Sequence, residues 1–319
     1  MDIFACAARP SEIHRYLIGQ QATLKDVMDR LEDGSLSKYL GSKEGLYFLK
    51  GKEHLWARRV RFLEHSRRGW KRARLIAEKI QKMGLASAGL VTGSLAAENC
   101  DEHADIDFLF IYPSKRTWLS FGVVRVLGKV PKLGLESMCP NYALPDDHLE
   151  IQPQNLFTAW EIAKAVPLFG HDVYHDFINA NRWVRQYLPN ALPDLDLSST
   201  NLSTESSHSV LEKLTDTRAF RWLENSERRR KWSRDERDVG VNLDARFQEG
   251  SVDRHSPTRP FQTLSELRYR MDLFGLNTHP LYSDIQNAGV TLETEMGYWG
   301  KSELDSSTRS ATTQNQQQE

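Results

Sequence analysis

Gly89-Leu90-Val91-Thr92-Gly93-Ser94 and, after a spacer of ten residues, Asp105-Ile106-Asp107-Phe108-Leu109-Phe110-Ile111 are the stretches on which the fold turns. The first is an apolar run that ends in small residues, the pattern of a strand breaking at a turn. The second is an apolar strand with two acids at its start. Side chains alternate along a strand, so Asp105 and Asp107 share one face while Ile106 points to the other. Two carboxylates on one face suit a hard divalent cation, because magnesium commonly takes one or two carboxylates, waters and phosphate oxygens. Gly93 lets the backbone approach a phosphate closely, and the amide and hydroxyl of Ser94 can donate to its oxygens.

At these residues the chain resembles the DNA polymerase beta-like nucleotidyltransferase superfamily. The signature of that superfamily is an apolar residue, Gly, Gly or Ser, a spacer of about ten, then Asp, apolar, Asp or Glu, apolar, a pattern met by Gly93-Ser94 and Asp105-Ile106-Asp107-Phe108. The resemblance covers about residues 85 to 165. It implies a small mixed sheet flanked by helices, two magnesium ions, and transfer of a nucleoside monophosphate from an NTP to an acceptor hydroxyl with release of pyrophosphate. More loosely, Gly45-Leu46-Tyr47-Phe48-Leu49-Lys50-Gly51, Asn155-Leu156-Phe157-Thr158-Ala159 and Asn181-Arg182-Trp183-Val184 are similar to uncharacterised bacterial proteins that carry this domain behind a winged-helix segment.

The resemblance also implies a third carboxylate on a following strand. A helix from about Ser114 to Lys129 leads to Ser137-Met138-Cys139-Pro140-Asn141-Tyr142-Ala143-Leu144, which holds no acid. Two residues compete for the place: Asn141 itself, and Glu150, an acid between Leu149 and Ile151 that suits a strand edge. Glu150 is the choice here, completing a catalytic and metal-binding set of Asp105, Asp107 and Glu150, with a solvent-facing glutamate as the bland alternative. An amide there would weaken both the general base and the metal site, favouring a slow or inactive enzyme. Leu95-Ala96-Ala97-Glu98 follows the Gly-Ser where many drug-modifying relatives carry Arg, so resistance enzymology is not indicated. His103, in the spacer, reads as an exposed loop residue.

Around this core the expected architecture is α/β (α+β), with an N-terminal winged-helix-like unit over 1–52. The nucleotidyltransferase core with its preceding basic helix spans 53–189, a mainly helical region 190–301, and a disordered tail 302–319. Ile13, Tyr16 and Leu17, then Leu24, Val27, Met28 and Leu31, mark two amphipathic helices. Thr23 with Asp26 caps the second. Tyr39-Leu40, a Gly41–Gly45 turn and Leu46–Leu49 form a hairpin. The second helix carries Asp26, Asp29, Glu32 and Asp33 beside only Lys25 and Arg30, poor chemistry for meeting DNA phosphates. Trp56 to Lys82 reads as a long helix studded with cations, its buried face built from Val60, Leu63, Trp70, Leu75 and Ile76. Asn190 to Ser207 reads as a linker, and Thr263 to Leu276 as a further amphipathic helix.

With 42 basic and 43 acidic residues, attraction to nucleic acid would have to come from local patches. Three widely spaced cysteines without a C-x-x-C pattern favour reduced thiols and a cytoplasmic setting. No run is long and apolar enough for a membrane span. No P-loop, dinucleotide-binding fingerprint or nucleophile elbow is present. The acceptor, whether small molecule, protein or RNA, is not legible. The alternative function is a winged-helix DNA-binding regulator or scaffold whose transferase domain performs no chemistry.

Overall fold

A computed structural model describes residues 5–193, 217–239, 252–253 and 258–288. At the N-terminal end stand two short helices, α1 (Pro10–Arg15) and α2 (Leu24–Glu32), and an antiparallel hairpin of β1 (Leu40–Lys43) and β2 (Leu46–Leu49). The capping box opens α2 as anticipated: the Asp26 amide donates to the Thr23 hydroxyl at 3.1 Å, and the Thr23 amide to the Asp26 carboxylate at 2.8 Å. Strand pairing runs on to Lys43 and Leu46, so the turn tightens to Glu44-Gly45. Their φ angles of +51° and +74° have the positive sign that a type I′ hairpin turn requires. Only Val27 of α2 is buried, and Leu24 and Met28 are each 40% exposed. The segment between α1 and α2 is tied to the far side of the chain, where Gly19 N–H donates to the Tyr187 carbonyl at 2.8 Å and the Asn190 amide donates to the Gln20 carbonyl at 2.9 Å.

Helix α3 (His54–Lys82) is about 43 Å long at the usual rise per residue. Its buried positions 55, 59, 62, 66, 69, 73, 76 and 80 alternate steps of four and three, a narrow heptad seam that Ala77 widens near its end. This differs from the sequence reading: Ile76 is inside, but Val60 and Leu75 are 45% and 57% exposed. The seam runs instead through Arg59, Ser66 and Gly69. At Gly69 a Cβ would stand 2.9 Å from Leu95 Cδ1, so the missing side chain lets Leu95 close against the helix.

Next come β3 (Ala88–Val91), the single turn α4 (Gly93–Ala96), β4 (Ile106–Tyr112), α5 (Thr117–Leu127), β5 (Met138–Pro145), α6 (Leu156–Lys164), β6 (Val166–Phe169) and α7 (His171–Ala180). Beyond them lie α8 (Arg218–Val239), β7 (Val252–Asp253) and α9 (Thr258–Leu273). The sheet order is β6-β3-β4-β5-β7, with β4 and β5 parallel and every other neighbour antiparallel. The α5 crossover explains the parallel pair, since returning to the same end of the sheet requires one.

Alternation along β4 divides the core. Phe108, Phe110 and Tyr112 pack with α3 and α5, whereas Leu109 and Ile111 pack with α6, α7 and α9. The protein is thus a mixed α/β fold around a small mixed sheet. Among the described residues, no helix is long and apolar enough to cross a membrane. The 302–319 tail and most of the 190–207 linker lie outside the described residues.

Candidate active site

The antiparallel register places Val91 opposite Phe108, and the next step brings Thr92 to Asp107, whose carbonyl accepts the Thr92 N–H at 2.9 Å. The chain then turns at Gly93, with φ +64°, and a Cβ there would lie 2.1 Å from Asp107 Oδ2. The carboxylate of Asp107 therefore rests directly over the glycine. No other residue type fits both that backbone angle and that approach. Ser94 follows in the half-buried turn, its carbonyl accepting from Asn99 N–H at 2.9 Å. Asp107 is half-buried and belongs by alternation to the Leu109 and Ile111 face. Asp105 is exposed just ahead of β4. The structure thus joins the two halves of the motif at one end of the sheet.

Of the two candidates for the third position, Asn141 is the one that touches Asp107. Asp107 pairs with Cys139 and Phe108 with Pro140, but the register then slips so that Leu109 meets Tyr142, leaving Asn141 as the extra residue of a bulge. Its side-chain amide donates to Asp107 Oδ1 at 2.6 Å, and the Cys139 thiol donates to Asn141 Oδ1 at 3.0 Å. Glu150 is not brought to this cluster. It lies in the loop that joins β5 to α6. Its carboxylate is exposed and accepts from the side-chain amides of Gln152 and Gln154. Buried Asn181 holds the segment in that pose, donating to the Leu149 carbonyl at 2.8 Å and accepting from Ile151 N–H at 2.9 Å. The apolar flanks suggested a strand edge, but they anchor a loop that turns the glutamate to solvent.

The spacer is held from behind by residues the sequence reading did not single out. Arg59, fully buried, donates to the carbonyls of Ala97 at 2.9 Å and Glu98 at 3.1 Å and pairs with Glu12. Arg9 reaches Glu98 at 2.8 Å, and Ser66 Oγ lies 3.2 Å from Cys100 Sγ. Burial pushes the Cys6 thiol upward in pKa, with the nearby Arg59 opposing. The signal for Arg59 was present in the four-three spacing of the helix. Asn141 was a candidate by its place after α5, but its contact with Asp107 was not legible, because a bulge is a property of the pairing. His103 is exposed, its N–H donating to Asp101 Oδ1 at 2.9 Å.

No protein-family model matches the chain, and no curated protein and no solved structure matches it either. The functional reading therefore rests on the chemistry of the site.

Proposed function

We propose that the chain is a nucleotidyltransferase, with β3, β4 and β5 as the heart of a nucleotidyltransferase core and residues 1–52 as a winged-helix-like unit. Asp105 and Asp107 hold magnesium against the triphosphate of an NTP, and Gly93 and Ser94 cradle the phosphates. The acceptor oxygen attacks the α-phosphorus, the bond to the bridging oxygen breaks, pyrophosphate leaves, and the hydroxyl proton passes to solvent. The observation that supports this reading is the close approach of Gly93 to the Asp107 carboxylate, the two residues to which the proposal gives the phosphate and the metal.

The donor set fits the ion that travels with a triphosphate, since magnesium there needs only one or two protein carboxylates. When bound, that ion neutralises phosphate charge and makes the acceptor hydroxyl more acidic. A second ion fits less well, because Asn141 stands where a third carboxylate would complete its ligands. Asn141 orients Asp107 through its amide, but it can neither take up a proton nor add negative charge.

That substitution favours a second reading, in which the site binds the nucleotide and performs no transfer, as in a regulator or scaffold. Pyrophosphate release from the four ribonucleoside triphosphates with magnesium separates the two. The transferase releases it, loses release in Asp107→Asn, and gains rate in Asn141→Asp. Release unchanged by Asp107→Asn refutes the assignment, and binding without release in the wild type selects the regulator.

A further inference from the structure

The conspicuous charge of the molecule lies away from the aspartates. Between His54 and Lys82, α3 carries ten Lys and Arg against two acids, in a chain whose totals nearly balance. One of the ten, Arg59, is turned into the core, and Arg58 is half-buried beside the Phe62 ring. The other eight (Arg61, Arg67, Arg68, Lys71, Arg72, Arg74, Lys79 and Lys82) are exposed. At 100° per residue they fall within an arc of about 160°, opposite the buried seam. Glu64 engages Arg68, Glu78 engages Lys82, and Lys79 donates to the Leu133 carbonyl at 2.5 Å. Arg61, Arg67, Lys71, Arg72 and Arg74 have no carboxylate partner among the described residues.

We infer that this outer face of α3 docks the phosphate backbone of double-stranded DNA. The ridge is about 43 Å long, the rise of roughly 13 base pairs. Its exposed arc carries no aromatic platform: Phe62 is buried, and Trp56 and Trp70 are half-buried at its flanks. Single strands are usually gripped by stacking on such rings, so a duplex is the better fit. The major groove of B-form DNA admits the flank of a helix, whereas that of an A-form RNA duplex is too narrow. A lipid surface is disfavoured because the apolar seam of α3 is spent on the core, which leaves the outer face with Val60 and Leu75 as its exposed large hydrophobics, far short of an apolar stripe that could insert. α2 is the weaker candidate: Lys25 is paired with Asp29 and Arg30 with Asp33, and its other acids face solvent. This inference stands apart from the transferase proposal, since α3 covers the face of the sheet opposite Asp107.

Five phosphate contacts give a slope of log affinity against log salt of about −4.5, or roughly a 500-fold loss between 50 and 200 mM salt. The test is fluorescence anisotropy of the full chain with a labelled 20-base-pair DNA duplex across that range. In Arg67→Gln/Lys71→Gln/Arg72→Gln the slope falls to about −2 and the loss over the range to about tenfold. Arg67→Lys/Arg72→Lys retains binding, which shows that charge rather than folding is read. Lys25→Gln/Arg30→Gln and Asp107→Asn bind as the wild type does, so a failed transferase assignment leaves this result standing. The inference is overturned by absence of duplex binding, by a triple variant with unchanged slope, by loss on altering α2, or by preferential capture of an RNA duplex of the same sequence or of phosphatidylserine vesicles.

Discussion

Replacing Gly93 with Ala tests whether the two halves of the motif are locked together. At φ +64° an alanine costs about 1–2 kcal/mol in backbone strain. Its Cβ would also stand 2.1 Å from Asp107 Oδ2, well inside the 3.0 Å that real contacts respect, so the carboxylate must swing away. Swinging away breaks the 2.6 Å hydrogen bond from Asn141, worth roughly 1 kcal/mol more. Gly45 is an internal control, with φ +74° and nothing within 4 Å of an added methyl, so Gly45→Ala carries the strain alone, about 1–2 kcal/mol. Urea unfolding should place Gly93→Ala about 1 kcal/mol below Gly45→Ala. Calorimetry should show magnesium-dependent NTP binding lost only in Gly93→Ala. Equal stabilities together with wild-type nucleotide binding in Gly93→Ala would refute the reasoning.

Two further predictions concern the supports of the site. Arg59→Met leaves Glu12 and the spacer carbonyls without their buried partner and should cost about 3–5 kcal/mol by urea unfolding. A shift under about 1 kcal/mol would mean that Arg59 is not what holds the spacer. Glu224 of α8 caps α5 from more than a hundred residues away, accepting from Trp118 N–H at 2.7 Å and Leu119 N–H at 2.8 Å. Glu224→Ala should therefore speed hydrogen exchange at those two amides by about tenfold, the equivalent of a lost cap of roughly 1 kcal/mol or slightly more. Unchanged exchange would show that α8 does not cap the helix in solution.

What could be read from the sequence was local. Thr23 and Asp26 announced a cap, Glu44-Gly45 closed a hairpin within the expected turn, and the apolar run that follows Asp105 became the central strand β4. Each depends on residues a few positions apart. The contact of Asn141 with Asp107 depends on pairing between strands about thirty residues apart, and the choice of Glu150 followed apolar neighbours that instead anchor a loop. In α3, hydrophobic character alone misplaced the buried face, because Arg59 satisfies its charge inside and Gly69 is buried by its smallness. Polar and small residues at heptad positions carry the same information as Leu or Ile, but only the spacing reveals it.

The most direct test of the central claim is calorimetric titration of the four ribonucleoside triphosphates, with and without magnesium, into wild type and Asp105→Asn/Asp107→Asn. A nucleotide site at these aspartates predicts magnesium-dependent binding in the wild type that disappears in the folded variant; binding that survives the double substitution, or folded wild type that binds no nucleotide, would contradict it.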